Sequence, residues 1–237
     1  MGALFEKLCE DIRFVEGLKA CMNCGTCTAI SPAAEFYNYQ PRMLVDILQT
    51  HDEEKIEALL KSDTIWYCGE CMSCVTRCPR NNAPGLLITA LRSLSQEMGY
   101  FVESEKGRQQ LAIKRTVGHW ILEYGYCLHP SQITPGNHPE QGPVWDWEFH
   151  HLEGVMERLG ANYKKAGPGV LRAIPKAALD EIKKIFDETG ATDRFEKIEA
   201  FSKKKAAEMG MKLDDGLENE YITHIYKANT KDHSAGQ

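Results

Sequence analysis

The sequence predicts a mainly α-helical protein, with two cysteine-rich loops in its first half and a helical extension in its second. Apolar residues recur at three- and four-residue spacing nearly throughout, and strand-like alternation is scarce. Proline and glycine fall at the ends of the periodic segments rather than inside them. Seven of the nine cysteines lie in two short runs, at 21–27 and 68–78.

The elements follow in order. Leu4, Phe5, Leu8, Ile12 and Val15 mark a helix over 2–18 that stops near Gly17. Pro41 suits the first turn of a helix carrying Met43, Leu44, Ile47 and Leu48. Thr50 and Glu53 read as a capping box ahead of Ile56, Leu59 and Leu60. Pro84 opens a segment with Leu87, Leu91 and Leu94 that Gly99 closes. Another helix is expected over 104–124, with a break at Gly118. Residues 129–150 hold prolines, glycines and the aromatic group Trp145, Trp147 and Phe149, and read as a long irregular connection anchored by its aromatic end. Helices resume at 150–163, 175–189 and 193–209, the last capped by Asp193 and Glu196 and ended by Gly210. The expected organisation is a cysteine-bearing domain over 1–128, the connection at 129–150, a helical extension at 151–226 and a flexible tail at 227–237.

Composition excludes several classes. The 237 residues are 43% apolar, with a formal net charge of −6. That charge argues against nucleic acid as a partner, and Lys203, Lys204 and Lys205 read as a solvated helix face. No apolar run reaches the ~18 residues that span a bilayer. The N-terminus lacks a basic stretch and a long apolar run, so a cytoplasmic protein is expected. No G-x-G-x-x-G follows a strand signal, and no nucleotide or flavin site is visible. His119, His129, His138, His150 and His151 lack ligand-like spacing and read as surface or packing residues. Arg77 and Arg80 flank Cys78 and read as solvated.

The cysteines carry the chemistry. Cys68, Cys71, Cys74 and Cys78, followed by Pro79, complete the C-x2-C-x2-C-x3-C-P pattern of [4Fe–4S] sites. Two-residue spacers let one tight loop present three thiolates to three corners of a cubane, while the fourth cysteine is turned toward another cluster. Gly25 and Gly69 suit such loops. The first run, Cys21, Cys24 and Cys27, repeats the spacing but has Ser31 before Pro32 where the fourth cysteine is expected. If the runs exchange fourth ligands, cluster 1 takes Cys21, Cys24, Cys27 and Cys78. Cluster 2 then takes Cys68, Cys71 and Cys74, with Ser31 at its fourth corner. Several forms of that second site stay open: a serine-ligated [4Fe–4S], a [3Fe–4S], or a cubane with one iron open to an outside ligand. Cys9 and Cys127 are also candidates, although their neighbours suggest small buried residues. Zinc fits poorly, because its sites pair C-x2-C units about 15–20 residues apart.

The two runs, with Cys24-Gly25-Thr26-Cys27-Thr28 in the first and Trp66-Tyr67-Cys68-Gly69-Glu70-Cys71 opening the second, resemble the C subunit of heterodisulfide reductase. They resemble in particular its form in the heterodisulfide-reductase-like complexes of sulfur oxidisers. The resemblance covers about residues 5–130. It implies an α-helical ferredoxin-like fold with two [4Fe–4S] clusters ligated by the exchange above. It also implies a non-catalytic relay between the catalytic B subunit of such a complex and its flavin-containing A subunit. In the sulfur-oxidising form, the complex would act on sulfur carried by a lipoate-binding protein. Ser31 departs from the family pattern, which has cysteine there. The alternative is a sulfur-binding enzyme using an open iron at Cys68, Cys71 and Cys74.

Overall fold

The computed structural model describes residues 2–227; the tail expected at 227–237 lies almost wholly outside them. Helices and turns make up the described residues, with no strand among them. The chain divides into two compact units, 1–108 and 109–237. Within the second unit, residues 109–124 pack on later helices.

The first unit contains α1 (Ala3–Cys9), α2 (Ile12–Gly17), α3 (Thr26–Ala29), α4 (Ala33–Phe36), α5 (Pro41–Thr50), α6 (Glu53–Leu60), α7 (Pro84–Met98) and α8 (Glu105–Arg108). The expected single helix over 2–18 is two. The Asp11 carboxylate accepts from the Arg13 N–H and starts a new helix, which shifts the apolar phase. Phe14 is therefore buried, while Ile12 and Val15 are exposed.

The capping reading at Thr50 and Glu53 also changes. Asp52 caps α6 by accepting from Lys55 N–H, and Thr50 donates to the Ile47 carbonyl. Glu53 instead accepts from the Leu4 and Phe5 N–H groups at 2.8 and 3.0 Å, satisfying the start of α1. A Cβ at position 2 would lie 1.9 Å from the Glu53 side chain, so a larger residue there would have to displace this cap.

Helix α7 is the axis of this unit. Leu87, Ile88, Leu91 and Leu94 are buried against Leu4, Phe5 and Leu8 of α1, Phe14 of α2, Leu44, Val45 and Leu48 of α5 and Ile56 and Leu60 of α6. Burial of each such side chain contributes roughly 1.5–3 kcal/mol. Pro84 occupies the first turn of α7 and Gly99 ends it in the left-handed region, as the sequence predicts. Cys21 and Cys68 pack against the edge of the same core, so the cysteine loops are seated on it rather than hung from it.

The second unit contains α9 (Gln110–Ile113), a π-helical turn over Lys114–Gly118, α10 (His119–Tyr124), α11 (Gly142–His150), α12 (Leu152–Arg158), α13 (Lys176–Glu188), α14 (Ala191–Glu208) and α15 (Glu220–Lys227). The predicted break near Gly118 is the π turn. It lets Phe195 close on Gly118, where a Cβ would lie 2.6 Å from the ring. The expected irregular connection at 129–150 is helical over its second half, with Pro143 in the first turn of α11. Trp145 anchors it by donating to the Ile133 carbonyl, but Trp147 is exposed and stacks on His151. Helix α14 starts at Ala191, ahead of the expected capping pair.

A buried arginine ties this unit together. Arg115 donates to both carboxylate oxygens of Glu199 and to the carbonyls of Asp214 and Gly216. Burial opposes ionisation of Glu199, but hydrogen bonds from Arg115 and Lys114 outweigh it and lower its pKa from 4.5 to about 2. A depressed folded-state pKa gives stability that is complete above the unfolded value near 4.5 and is lost as pH falls toward 2. Glu199→Gln is expected to destabilise the protein by roughly 2–4 kcal/mol at pH 7 in urea unfolding. Part of the loss of wild-type stability between pH 5 and 2 should vanish in the variant; an unchanged acid profile would contradict the role given to Glu199.

Candidate iron–sulfur centre

Each cysteine run folds into the same loop. In the first, Asn23 and Gly25 take positive φ (58° and 78°); in the second, Glu70 and Met72 do so (54° and 56°). These are equivalent positions, so the sequence repeat is also a backbone repeat. Gly25 meets the requirement without a Cβ, whereas Glu70 and Met72 each bear a cost of about 1–2 kcal/mol. Gly69, singled out by its type, is not a left-handed position. The left-handed residues turn N–H groups back on the sulfurs: Asn23 N–H donates to Cys21 Sγ and Glu70 N–H to Cys68 Sγ, both at 3.3 Å.

A hydroxyl repeats as well. Thr26 Oγ1 lies 3.3 Å from Cys24 Sγ, and this hydrogen bond lowers the Cys24 thiol pKa. Ser73 does the same for Cys71 from the matching position. Cys24 and Cys71 are exposed. Cys27 and Cys74 sit deeper, and burial pushes both thiols up.

Cys78 comes to the first run through the segment that follows it. Ala83 N–H donates to Gly17 O at 2.9 Å, Lys19 N–H donates to Asn82 Oδ1 at 2.8 Å, and Arg80 Nε donates to Ala20 O at 3.4 Å. Residues 80–83 thus lie beside 17–20, immediately before Cys21. Cys21, Cys24, Cys27 and Cys78 consequently line one cavity, together with Arg42, Arg80 and Asn82. Asn82 N–H donates to Cys78 Sγ at 3.3 Å.

The second run is held by Arg92 on α7. Its guanidinium donates to the carbonyls of Ile65 and Cys68 and to the Glu70 carboxylate, and it lies over the Trp66 ring. The start of α7 meets the run from below. A Cβ at Gly85 would lie 2.5 Å from Met72 Sδ and 3.9 Å from Cys74 Sγ. Ser31 is half-buried, its N–H bonded to the Thr28 carbonyl, and no hydrogen bond ties its hydroxyl to Cys68, Cys71 or Cys74. Cys9 and Cys127 are exposed rather than buried.

The donor set fits iron–sulfur clusters. Thiolates converge on a cavity, backbone N–H groups face sulfur, and buried polar atoms at the sites have no partner among the described residues: Asn82 Nδ2, Arg42 Nε and the Tyr39 hydroxyl. A buried donor without a partner is uncommon in native proteins. Among the described residues no three His, Cys, Asp or Glu side chains are grouped to hold a single metal ion. The contributions of Tyr39, Arg42, Asn82 and Arg92 escape sequence reading, since each acts from outside the cysteine spacing. Asn82, four residues past Cys78, is the nearest to a signal.

Fold and site together define an all-helical iron–sulfur dicluster protein, and a family profile described as a 4Fe-4S dicluster domain matches residues 16–82. The chain is 30% identical over 198 residues to the C subunit of the ferredoxin:CoB-CoM heterodisulfide reductase of Methanosarcina acetivorans, covering 84% of this chain and 72% of that one. It is 34% identical over 120 residues to the iron–sulfur C 2 subunit of the CoB–CoM heterodisulfide reductase of Methanocaldococcus jannaschii, covering 50% of this chain and 56% of the relative. The C subunit of the H(2):CoB-CoM heterodisulfide,ferredoxin reductase of Methanothermobacter marburgensis is 26% identical, covering 58% and 76%. The chain belongs to the family of heterodisulfide reductase C subunits, and its role is electron transfer. No helix among the described residues is long and apolar enough to cross a membrane.

Arg92→Ala removes several charge-assisted bonds at once and is expected to destabilise the first unit by roughly 2–4 kcal/mol. Urea unfolding, with labelling of Cys68 and Cys74 in iron-free protein, checks this. Labelling no faster than wild type would show that Arg92 does not hold the loop.

Proposed function

We propose that this chain relays electrons through two clusters. One is held by Cys21, Cys24, Cys27 and Cys78, the other by Cys68, Cys71 and Cys74 with Ser31 at its fourth corner. The observation that carries the reading is the shared cavity, in which Cys78 of the second run joins the three cysteines of the first. When bound, the clusters supply one-electron steps at potentials that hydrogen bonding to sulfur and burial set. The protein's part is to place the thiolates and to direct N–H and O–H donors at sulfur. In this reading the relay runs between the catalytic B subunit and the flavin-containing A subunit of a heterodisulfide-reductase-like complex. That complex would work in cytoplasmic sulfur oxidation and meet a lipoate-binding protein.

Ser31 favours a second reading. With no fourth thiolate tied to Cys68, Cys71 and Cys74, an iron there would be open to an outside sulfur, and the chain would bind a persulfide itself. Added persulfide would then perturb one cluster's spectrum in the isolated chain; a relay would show no change.

Anaerobically purified protein should contain about eight irons per chain if both sites are cubanes, and about seven if the second is [3Fe–4S]. Cys21→Ser and Cys78→Ser should abolish or alter the same EPR component, and Cys68→Ser the other. If Cys78→Ser acted on the Cys68→Ser component instead, the exchange of fourth ligands would be wrong.

A further inference from the structure

We infer that the Tyr39 hydroxyl is a hydrogen-bond donor to sulfur of the cluster on Cys68, Cys71 and Cys74, and that it raises that cluster's reduction potential; this rests on the ligand set proposed above. Tyr39 lies between α4 and α5, outside both cysteine runs. It belongs to the core of the first unit and is only 2% exposed. Its ring meets that of Tyr67, the residue before Cys68, edge-on at 6.3 Å.

The hydroxyl is buried and has no hydrogen-bond partner of acceptable geometry among the described residues. Leaving a buried hydroxyl without a partner carries a desolvation penalty that phenylalanine would avoid. Its sulfur neighbours are Cys68 and Cys74, with Arg92 the nearby cation. A phenol carries one proton it can donate. A neutral thiol is a weak acceptor, whereas a thiolate or sulfide bound to iron carries the charge a phenol donates to well.

The same geometry sets the direction of the effect. Reduction adds negative charge to the cluster, and a fixed donor stabilises the reduced form more than the oxidised one. Tyr39 acts through sulfur and not on a substrate, so it is a positioning residue. The cavity at Cys21, Cys24, Cys27 and Cys78 does not include it. Its influence should therefore fall mainly on one cluster.

The test uses the full chain, purified anaerobically, as wild type, as Tyr39→Phe and with 3-fluorotyrosine at position 39. Iron and sulfide are counted first; a wild type lacking two clusters would overturn the ligand set rather than the role of Tyr39. EPR-monitored redox titration then follows each cluster, the second identified by its loss or alteration in Cys68→Ser. The expected result is a lower midpoint for that cluster in Tyr39→Phe and a higher one with the more acidic fluorophenol, the other cluster moving little. A packing role would not give shifts of opposite sign. Unchanged midpoints at full iron content would overturn the inference. If Tyr39→Phe loses iron, the fluorotyrosine protein decides alone, and an unmoved midpoint there would equally overturn it.

Discussion

Everything in the first unit depends on the pairing of residues 80–83 with residues 17–20. The bonds from Ala83 to Gly17, from Lys19 to Asn82 and from Arg80 to Ala20 carry Cys78 across to a run more than fifty positions earlier. Individually such bonds contribute about 1 kcal/mol. Together they settle which sulfur shares a cavity with which. Gly17 permits the approach, since a Cβ there would press on Leu87 and on the Ala83 carbonyl at 3.1 and 3.3 Å.

Helix α7 connects that pairing to the core. Its buried leucines face α1, α2, α5 and α6, its N-terminal turn meets Cys74 through Gly85, and Arg92 on its next turns grips Ile65, Cys68 and Glu70. One rigid element thereby positions both cysteine loops. The strain at Glu70 and Met72 persists because these anchors over-determine the loop.

Much of this was legible in the residues. The helical class, the starts at Pro41 and Pro84 and the end at Gly99 all follow from period and punctuation. Boundaries set by side-chain hydrogen bonds did not. Asp11 splits a helix that its apolar spacing would continue, and Glu53, read as the cap of its own helix, serves another forty-nine residues away. The site was half visible for the same reason: thiolates announce themselves by spacing, while Tyr39, Arg42 and Arg92 reach the loops through the fold.

The adjacency of residues 80–83 to 17–20 also bears on how the protein comes into being. During synthesis Cys21, Cys24 and Cys27 leave the ribosome long before Cys78, and the segment that delivers Cys78 is pinned by the helix that follows it. With the proposed ligands, a three-thiolate nest waits incomplete until α7 has been made and has docked. Metal loading then becomes a late event in biogenesis, and the finished cluster acts as a cross-link closing a loop of about fifty residues, which penalises the unfolded chain more than a short loop would.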